Sequence, residues 1–333
     1  MALKIAINGF GRIGRCVTRI AAKRDDVEIV AINDLTDIDM MVYLLQNDSV
    51  HGTFDVNVEK LDAEHILIDT QKIKIFSENH PDKLHFAESG ATVVLECTGL
   101  FLTSQSVATH LQRGIQKVIL SAPTQDSVTP TFVMGVNEKL YKGEPIISNA
   151  SCTTNCLGPV AKIIDDAFGI EKGLMTTIHS YTNDQNLLDV KHRRDKRRAR
   201  AAAVNMIPTT TGAAKAIDRV MPQLTGKLHG QSVRVPTPDV SMMDLNLVIA
   251  KNTTEEEVKA LFNEKASAAF EGILLVDKDM RVSQDFVGCN YSSIVAEDLI
   301  QVIGGNMLKV MSWYDNEWGY STRLLDMAIH ISK

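Results

Sequence analysis

The chain has 333 residues, of which 44% are hydrophobic and 23% are charged, and its formal net charge is −6. This length and hydrophobic content exclude a disordered chain and favour two domains. The negative charge makes nucleic acid an unfavourable general partner, and no apolar run approaches the roughly 18 residues that suggest a membrane span. Five cysteines lack the spacing of a disulfide framework, and the amino terminus lacks a signal-peptide pattern, so we expect a protein of the reducing cytoplasm.

Apolar runs and helical patterns alternate along the first 150 residues. The run LKIAING predicts a buried parallel strand, and the helical pattern GRIGRCVTRIAAKR follows at once. Further strands are predicted at VEIVAIND, ILIDTQKIKIF, ATVVLECTG, KVILSAP and PIISNA, with helices at DMMVYLL and SVATHLQRG. This alternation predicts an α/β fold with a doubly wound parallel sheet.

A G-x-G-x-x-G motif formed by Gly9, Gly11 and Gly14 lies between the first strand and helix, and Asp34 ends the second strand. Dinucleotide binding needs glycines where a turn is tight and where backbone meets pyrophosphate, a helix amino terminus for the phosphates, and a carboxylate for the adenosine ribose. The alternative is a glycine-rich turn, with Asp34 as a helix cap. Because strand, helix and acid occur together, the motif predicts a Rossmann-type dinucleotide-binding domain.

The pattern changes after residue 150. Extended segments are predicted at LMTTIHSYT and SVRVPTPDVSMMDLNLVIA, and LIQVIGGNMLKVMSWY has the turn of an antiparallel hairpin. TEEEVKALFNEKASAAF predicts a surface helix over a sheet. We therefore expect an α+β catalytic domain with a mostly antiparallel sheet at residues 151–315. A carboxyl-terminal helix, about residues 316–333, is expected to complete the first domain, residues 1–150.

The segment SNASCTTNCLGP contains Cys152 and Cys156 between a predicted strand and a helical pattern. Cys152 is expected in the first helical turn, where unsatisfied N–H groups and the helix dipole would lower the pKa of its thiol. A spacing of four residues fits neither a redox pair nor a zinc site, and no metal is expected. We interpret Cys152 as a nucleophile and Cys156 as a core residue.

His179 ends the apolar strand LMTTIH and is the nearest candidate base for Cys152. A single histidine at a strand end is usually structural. A cofactor domain, a cysteine at a helix start and a histidine at a strand end together predict aldehyde oxidation through a thioester.

Eight motifs occur in the chain in the order NGFGRIGR, ECTGLF, SNASCTTNC, HSYTNDQ, RRARAAA, TTTGAAKA, SVRVPTPDVS and SWYDNEWGYS. In these motifs the chain resembles the phosphorylating, glycolytic glyceraldehyde-3-phosphate dehydrogenase family over essentially its whole length. The resemblance implies oxidation of D-glyceraldehyde 3-phosphate to 1,3-bisphosphoglycerate with reduction of NAD, through a Cys152 hemithioacetal and thioester. It also implies a homotetramer in which each subunit has an NAD domain and a catalytic domain.

The resemblance implies roles for individual residues, with Cys152 adding to the aldehyde and His179 activating the thiol. Thr182 and Arg234 would mainly bind the C3 phosphate of the substrate. The residues that would mainly bind inorganic phosphate are Ser151, Thr153, Arg198, Thr211 and Gly212. The implied cofactor contacts are Gly9, Gly11, Arg12, Ile13, Gly14, Asp34, Ser121 and Asn316. The threonines could instead be ordinary caps, and a buried Arg234 could pair with a carboxylate.

The segment KHRRDKRRAR, residues 191–200, has seven basic side chains in ten positions. Taken alone, it could bind nucleic acid or an anionic surface. In the family it is a loop near the tetramer centre and beside a neighbouring subunit's cofactor. Nucleic-acid binding is therefore a secondary alternative. The closer alternative is erythrose-4-phosphate dehydrogenase, although HSYTNDQ and TTTGAAKA have the glyceraldehyde-phosphate form.

The residues around the adenosine site predict the choice of cofactor. Asp34 should repel a 2′-phosphate, and Leu35 offers no compensating charge, so NAD is expected. Val190 and Lys191 stand where many NAD-specific members have Leu-Pro, and this lysine could approach a 2′-phosphate. Asn79 stands where an arginine often lines the adenine pocket. We therefore expect a preference for NAD with incomplete rejection of NADP.

Overall fold

The computed structural model describes residues 2–192 and 195–333, which form two compact units. The first unit comprises the chain up to Phe132 with Glu138–Ala150 and Ser321–Lys333, and the second comprises Val133–Asn137 and Ser151–Tyr320. Within the described ranges, none of the helices has both the length and the apolar character needed to cross a membrane.

The first unit is built on an eight-stranded sheet. Its elements in chain order are β1 (Leu3–Asn8), α1 (Arg12–Ala21), β2 (Val27–Asn33), α2 (Ile38–Gln46), β3 (Asn47–Asp48), β4 (Gly52–Thr53), β5 (Val58–Lys60), β6 (His65–Ile68), β7 (Gln71–Phe76), β8 (Val93–Glu96), α3 (Ser104–Gln112), β9 (Lys117–Leu120) and β10 (Ile146–Ser148). The strand order is β10-β9-β8-β1-β2-β7-β6-β5, while β3 and β4 form a separate ribbon.

The six strands from β10 to β7 in this order run parallel, which confirms the predicted doubly wound sheet. The chain leaves β1 for β2 on one side and later returns to β8 on the other side, so β1 lies at a topological switch point. Ligands bind in such sheets outside the carboxyl ends of the strands at this point.

One predicted strand was wrong, because ILIDTQKIKIF makes two strands. Asp69 has a φ of 52° and turns the chain between β6 and β7, which pair antiparallel at the edge of the sheet. A short polar side chain tolerates this left-handed conformation better than a branched one does. The apolar residues on both sides of the turn hid it in the sequence.

The second unit contains a mixed sheet. Its elements are α4 (Cys152–Phe168), β11 (Ile170–Ser180), β12 (Ile207–Thr210), α5 (Ala213–Val220), β13 (Leu228–Val235), β14 (Ser241–Ile249), α6 (Glu255–Ala266), β15 (Leu274–Asp277), β16 (Ser293–Ala296), β17 (Gln301–Ile303) and β18 (Met307–Tyr314). The order is β12-β13-β11-β14-β18-β16-β15, and β17 also pairs with β18. Two of these pairings, β11 with β13 and β15 with β16, are parallel, and the remaining described pairings are antiparallel, as predicted.

The last helix, α7, spans Trp318–His330 and agrees with the helical spacing of the carboxyl-terminal sequence. From Ser321 onward its residues belong to the first unit. There Asp326 accepts a hydrogen bond of 2.8 Å from the Arg24 guanidinium, and His330 contacts the Glu138 carbonyl oxygen at 2.9 Å.

A buried histidine interrupts the apolar core of the first unit. His110 on α3 is 0% exposed, and its ring stacks on Phe86 with centroids 5.7 Å apart. Neither ring nitrogen has a hydrogen-bond partner in the described part of the chain, and burial lowers the pKa of His110 to about 4. The imidazole is therefore neutral in the native state at neutral pH.

We predict that His110→Leu makes the free energy of unfolding less dependent on acid pH. The unfolded chain takes up the imidazole proton below about pH 6.5, whereas the native state resists it down to about pH 4. Stability present above pH 6.5 is thus lost as the pH falls, by about 2 kcal/mol at pH 5. Denaturant unfolding should show that the free energy of unfolding differs less between pH 7.5 and pH 5 in the variant than in the wild type. An equal difference in the two proteins would contradict this prediction.

Candidate active site

Cys152 lies at the amino end of α4, as the sequence predicted. The chain turns sharply after β10, where Ala150 has a φ of 56°, and Ser151 then caps the helix by accepting a 3.1 Å hydrogen bond from the Thr154 N–H. One turn further, Cys156 is fully buried, and burial raises its thiol pKa to about 12. Cys156 is therefore a core residue, as expected, and the helix holds Cys152 at its first position.

His179 and Arg234 reach Cys152 from the neighbouring sheet. The parallel register of β11 and β13 pairs His179 directly with Arg234. His179 is only 4% exposed, and its Nε2 lies 3.6 Å from the Cys152 Sγ. Its Nδ1 lies 2.7 Å from an Arg234 guanidinium nitrogen and 2.8 Å from the Ser180 carbonyl oxygen. A half-buried thiol and a half-buried guanidinium therefore meet a buried imidazole.

The expected lowering of the Cys152 pKa was wrong. Burial raises the pKa of this thiol, while the charge of Arg234 and hydrogen bonding with Thr153 act in the opposite direction. Burial, followed by the charge of Arg234, lowers the pKa of His179 to about 3. The resting pair is thus a neutral thiol beside a neutral imidazole, and removal of water outweighs the helix terminus that the sequence pattern emphasised.

The position of the proton on His179 depends on which neighbour binds Nδ1. If Nδ1 donates to the Ser180 carbonyl, Nε2 keeps a lone pair that faces the Cys152 sulfur. If Nδ1 instead accepts from Arg234, the proton must lie on Nε2. Arg234 also donates to the Ser180 oxygen at 3.0 Å, so the two arrangements share the same groups. The first tautomer alone can accept a proton from the thiol.

A tyrosine that the sequence reasoning missed supports this site. Tyr314 is buried, and its hydroxyl lies 2.9 Å from the Thr153 hydroxyl and 2.7 Å from the Thr177 hydroxyl. Its ring meets the His179 ring edge-on at 6.0 Å. The predicted phosphate ligand Thr153 is thus occupied with Tyr314. The motif SWYDNEWGYS contains Tyr314, but the sequence around it gave no sign that its hydroxyl lies at this site.

The two arginines predicted to bind anions differ in their availability. The Arg234 Nε is buried and has no hydrogen-bond partner within the described residues, so it can donate to a bound anion. Arg198 is instead ion-paired with Asp184 and donates to Thr209 at 2.9 Å and to the Thr210 carbonyl at 3.2 Å. Arg234 is therefore the better-suited phosphate donor.

Three of the remaining predicted phosphate ligands lie at helix starts or turns. Thr211 accepts a 3.2 Å hydrogen bond from the Ala213 N–H, and Gly212 is the residue that precedes α5. The Thr182 N–H donates to the Gln185 side chain at 3.3 Å. Ordinary capping, which the sequence left open, accounts for part of their conformation.

The glycine motif of the first unit has the shape that a dinucleotide requires. Gly9 has a φ of 97°, and a Cβ there would lie 2.6 Å from the Thr98 nitrogen. A Cβ at Gly14 would lie 2.3 Å from the Gly9 carbonyl oxygen, whereas one at Gly11 would meet nothing within 4 Å. The first and last glycines thus allow close backbone packing, and Gly11 leaves open space beside the amino end of α1. These are the separate tasks of the glycines in a pyrophosphate site.

A pocket of about 270 Å³ adjoins this motif at the carboxyl ends of β1, β2 and β8. Asp34 lines it with Leu35 and Asn79, and its carboxylate accepts from the Phe10 N–H at 2.6 Å and the Thr36 N–H at 2.9 Å. Burial acts to raise the Asp34 pKa, but these hydrogen bonds outweigh it and hold the pKa below its usual range. An ionised acceptor of this kind suits ribose hydroxyls.

The other predicted cofactor contacts lie outside this pocket. Arg12, at the start of α1, forms an ion pair with Asp48. The Ser121 N–H donates to the Glu96 carbonyl oxygen at 3.0 Å. Asn316 belongs to the second unit, where its side-chain oxygen accepts from the hydroxyls of Ser180 at 2.9 Å and Ser241 at 2.7 Å. The last contact, Ile13, is half-buried within α1.

Polar residues at the strand ends line the pocket but were missed in the sequence. Asn8 ends β1 and Asn33 ends β2, and both line it together with Thr98, which follows β8. Each stands after an apolar run in a predicted parallel strand. Because such ends meet at one edge of a sheet, this spacing was the signal that could have identified them.

Carboxylates neutralise part of the basic segment, residues 191–200. Two of its arginines, Arg193 and Arg194, lie outside the described residues. Arg200 contacts Asp189 at 2.8 Å, in addition to the ion pair of Arg198 described above. This internal pairing does not favour a nucleic-acid surface.

Comparison with known proteins gives full-length matches. The NAD binding domain model of glyceraldehyde 3-phosphate dehydrogenase matches residues 3–104, and the corresponding C-terminal domain model matches residues 151–316. Glyceraldehyde-3-phosphate dehydrogenase 1 of Bacillus subtilis (strain 168) is 50% identical over 335 residues, covering 100% of this chain and 99% of the relative. Glyceraldehyde-3-phosphate dehydrogenase A of Escherichia coli (strain K12) is 48% identical over 333 residues, covering 100% of both chains.

We predict that Arg234→Leu slows alkylation of Cys152 by iodoacetamide. Loss of the guanidinium removes a charge that lowers the Cys152 pKa, and each unit of further increase reduces the thiolate fraction at pH 7 about tenfold. Mass spectrometry of the Cys152 peptide across pH 6 to 10 measures this. Arg200→Leu, which removes an exposed arginine of the same unit, should leave the profile unchanged. The proposed electrostatic contact is wrong if the two variants behave alike.

Proposed function

The chain belongs to the glyceraldehyde-3-phosphate dehydrogenase family, and from this premise we propose that Cys152 and His179 are its catalytic residues. The reaction is the oxidation of D-glyceraldehyde 3-phosphate to 1,3-bisphosphoglycerate, with incorporation of inorganic phosphate and reduction of NAD. The observation that carries the proposal is the 3.6 Å separation of the half-buried Cys152 Sγ and the buried His179 Nε2.

In the first step, the Cys152 sulfur attacks the aldehyde carbon. His179 Nε2 accepts the thiol proton as the carbon–sulfur bond forms, so a free thiolate is not needed in the resting enzyme. The proton then passes to the former carbonyl oxygen, which gives a neutral hemithioacetal. A neutral imidazole suits this role, because a protonated ring could not accept the proton.

Oxidation of the hemithioacetal requires removal of a proton and a hydride. His179 removes the hydroxyl proton, and NAD, when bound, supplies the acceptor for the hydride of the substrate carbon. The product is a thioester on Cys152. Cys152 is half-buried and His179 is buried, and this placement limits the access of water to the thioester, whose hydrolysis would waste the energy of the bond.

Inorganic phosphate then attacks the thioester, and the Cys152 sulfur leaves with the proton held by His179. We propose that Arg234 binds one phosphate group through its unpartnered Nε. A bound anion would draw the Arg234 guanidinium away from the His179 Nδ1. Nδ1 would then donate to the Ser180 carbonyl oxygen, which is the tautomer of His179 that can act as a base at Nε2. The weaker contributors proposed for the two anion sites are Ser151, Thr153, Thr182, Arg198, Thr211 and Gly212.

The residues of the first unit fit NAD, and we propose that Gly11 adjoins the pyrophosphate, that Gly14 allows the close packing of the glycine turn, and that Asp34 accepts from the adenosine ribose. Residues 1–150, completed by about 316–333, would be the NAD domain, and residues 151–315 the catalytic domain. The ionised Asp34 supports a preference for NAD over NADP. Lys191 remains a proposed aid to residual NADP use.

A homotetramer in the cytoplasm is part of the proposal. The second unit exposes apolar side chains on three strands of its sheet, with Leu174 of β11 67% exposed, Ile303 of β17 64% and Met307 of β18 49%. Exposed apolar patches of this kind mark surfaces that other subunits cover, and sedimentation equilibrium would measure the number of copies. Five free thiols support a reducing compartment.

The two alternative functions are less well supported. Relatives at about half identity over the full length are glyceraldehyde-3-phosphate dehydrogenases, which disfavours erythrose 4-phosphate as the main substrate. The paired charges of the basic segment disfavour a nucleic-acid role.

We predict that Cys152→Ser abolishes phosphate-dependent NADH formation while NAD still binds. Loss of the nucleophile of a covalent enzyme lowers turnover by about 10⁴-fold or more, because a serine hydroxyl is a far weaker nucleophile and acid than a cysteine thiol. NADH absorbance measures turnover, and protein fluorescence measures NAD binding. Cys289→Ser, at a half-buried cysteine of the same unit, is the matched control and should keep turnover. Near-normal activity of Cys152→Ser would refute the assignment.

A further inference from the structure

The ends of three neighbouring parallel strands are joined beneath the dinucleotide pocket by side-chain hydrogen bonds. β1, β2 and β8 end in Asn8, Asn33 and Glu96, which are 1%, 4% and 0% exposed. Polar groups buried to this degree are stable only when hydrogen-bonded. Their partners therefore fix the strand ends relative to one another.

The bonds form a continuous chain. The Thr98 N–H donates to Glu96 Oε1 at 2.9 Å, and the Thr98 hydroxyl donates to the same oxygen. On the other side, the Asn8 amide donates to Glu96 Oε2 at 2.6 Å, and the Asn33 amide donates to Asn8 Oδ1 at 2.8 Å. The Asn33 oxygen then accepts from the Glu78 N–H at 2.8 Å. Glu96 is the carboxylate at which the two branches meet.

The partners of Glu96 form the pocket wall, although Glu96 does not line the pocket itself. Asn8, Asn33 and Thr98 all line it. The glycine motif rests on the same segment, because a Cβ at Gly9 would collide with the Thr98 nitrogen. A shift of Thr98 would therefore move both the glycine turn and the opposite wall.

Burial makes this carboxylate costly, raising the Glu96 pKa to about 7, while the hydrogen bonds from Thr98 and Asn8 act against that rise. Each of these neighbouring groups donates to it. Glutamine at position 96 would keep the size of the side chain, but its N–H₂ group would replace one carboxylate oxygen. That N–H₂ group would face the donor of Asn8 or of Thr98, and this buried donor would lose its acceptor. Glu96→Gln is thus a sharp probe of the network.

We propose that Glu96 is a positioning residue for NAD, which acts by holding Thr98 and the Asn8–Asn33 pair in the wall of the cofactor pocket. The proposal rests on the assignment of this pocket to NAD. It predicts an effect on cofactor affinity without an effect on the chemistry at Cys152.

The test is the NAD dissociation constant of the cofactor-free protein, measured by fluorescence titration. At pH 8.5, where a carboxyl group with a pKa of about 7 is ionised, Glu96→Gln should raise this constant by about 10- to 100-fold, as expected for loss of hydrogen bonds to a charged group. The turnover at saturating NAD should stay within about twofold of the wild type. Asp126→Asn is the matched control, because Asp126 also accepts backbone N–H bonds in this unit, from Ser104 and Thr129. It should leave NAD affinity unchanged, whatever its effect on the melting temperature.

A double-mutant cycle tests whether Glu96 acts through Thr98. Thr98→Val should weaken NAD binding, and adding Glu96→Gln to it should weaken binding much less than Glu96→Gln does alone. If Glu96→Gln does not fold, Glu96→Asp, which shortens the same carboxylate, takes its place in the cycle. Fully additive effects would overturn the coupling.

Asp34→Ala separates failure of this inference from failure of the pocket assignment. If Asp34→Ala weakens NAD binding but the folded Glu96 variant binds normally, Glu96 is not a positioning residue. If neither substitution changes NAD affinity, the pocket itself is wrongly assigned.

Discussion

The contact of a half-buried Cys152 with the buried His179 is the constraint on which the proposed chemistry of the second unit depends. Removing water raises the pKa of the thiol and lowers that of the imidazole, so both are neutral at rest. In a neutral pair, the Cys152 thiol gives its proton to His179 only as the sulfur forms a bond to the substrate carbon. In the proposed reaction, the limited exposure of this pair also slows hydrolysis of the thioester. Among the described residues, Arg234 is the one positively charged side chain that contacts His179 directly.

The fold imposes this geometry through two features that are far apart in the chain. A sharp turn after β10 and the cap at Ser151 set the start of α4, and the parallel pairing of β11 with β13 sets Arg234 beside His179. The first unit uses a comparable device, in which Glu96 links strand ends that the sheet has already brought together. In both units, regular strand pairing brings polar groups to one edge, and a few buried hydrogen bonds then fix them.

Local patterns in the sequence predicted much of this arrangement. The glycine motif, the start of α4 at Cys152 and the strand ending near His179 depend on short stretches of chain, and each is recognisable there. The pKa of Cys152 was predicted in the wrong direction because its burial depends on residues distant in sequence. The contact between Arg234 and His179 depends on strand register, and the division of ILIDTQKIKIF depends on a left-handed turn at Asp69. The first two features follow from tertiary packing, which residue spacing does not specify, and the turn at Asp69 was hidden by the apolar residues on both sides of it.

The central claim is that the substrate is carried as an acyl group on Cys152, and withholding phosphate tests it most directly. The protein would be mixed with NAD and glyceraldehyde 3-phosphate without inorganic phosphate, quenched in acid and digested for mass spectrometry. The account predicts a 3-phosphoglyceroyl adduct on the peptide that contains Cys152, formed with a single burst of NADH and released when phosphate is added. No adduct in the presence of an NADH burst, or an adduct on another cysteine, would contradict it.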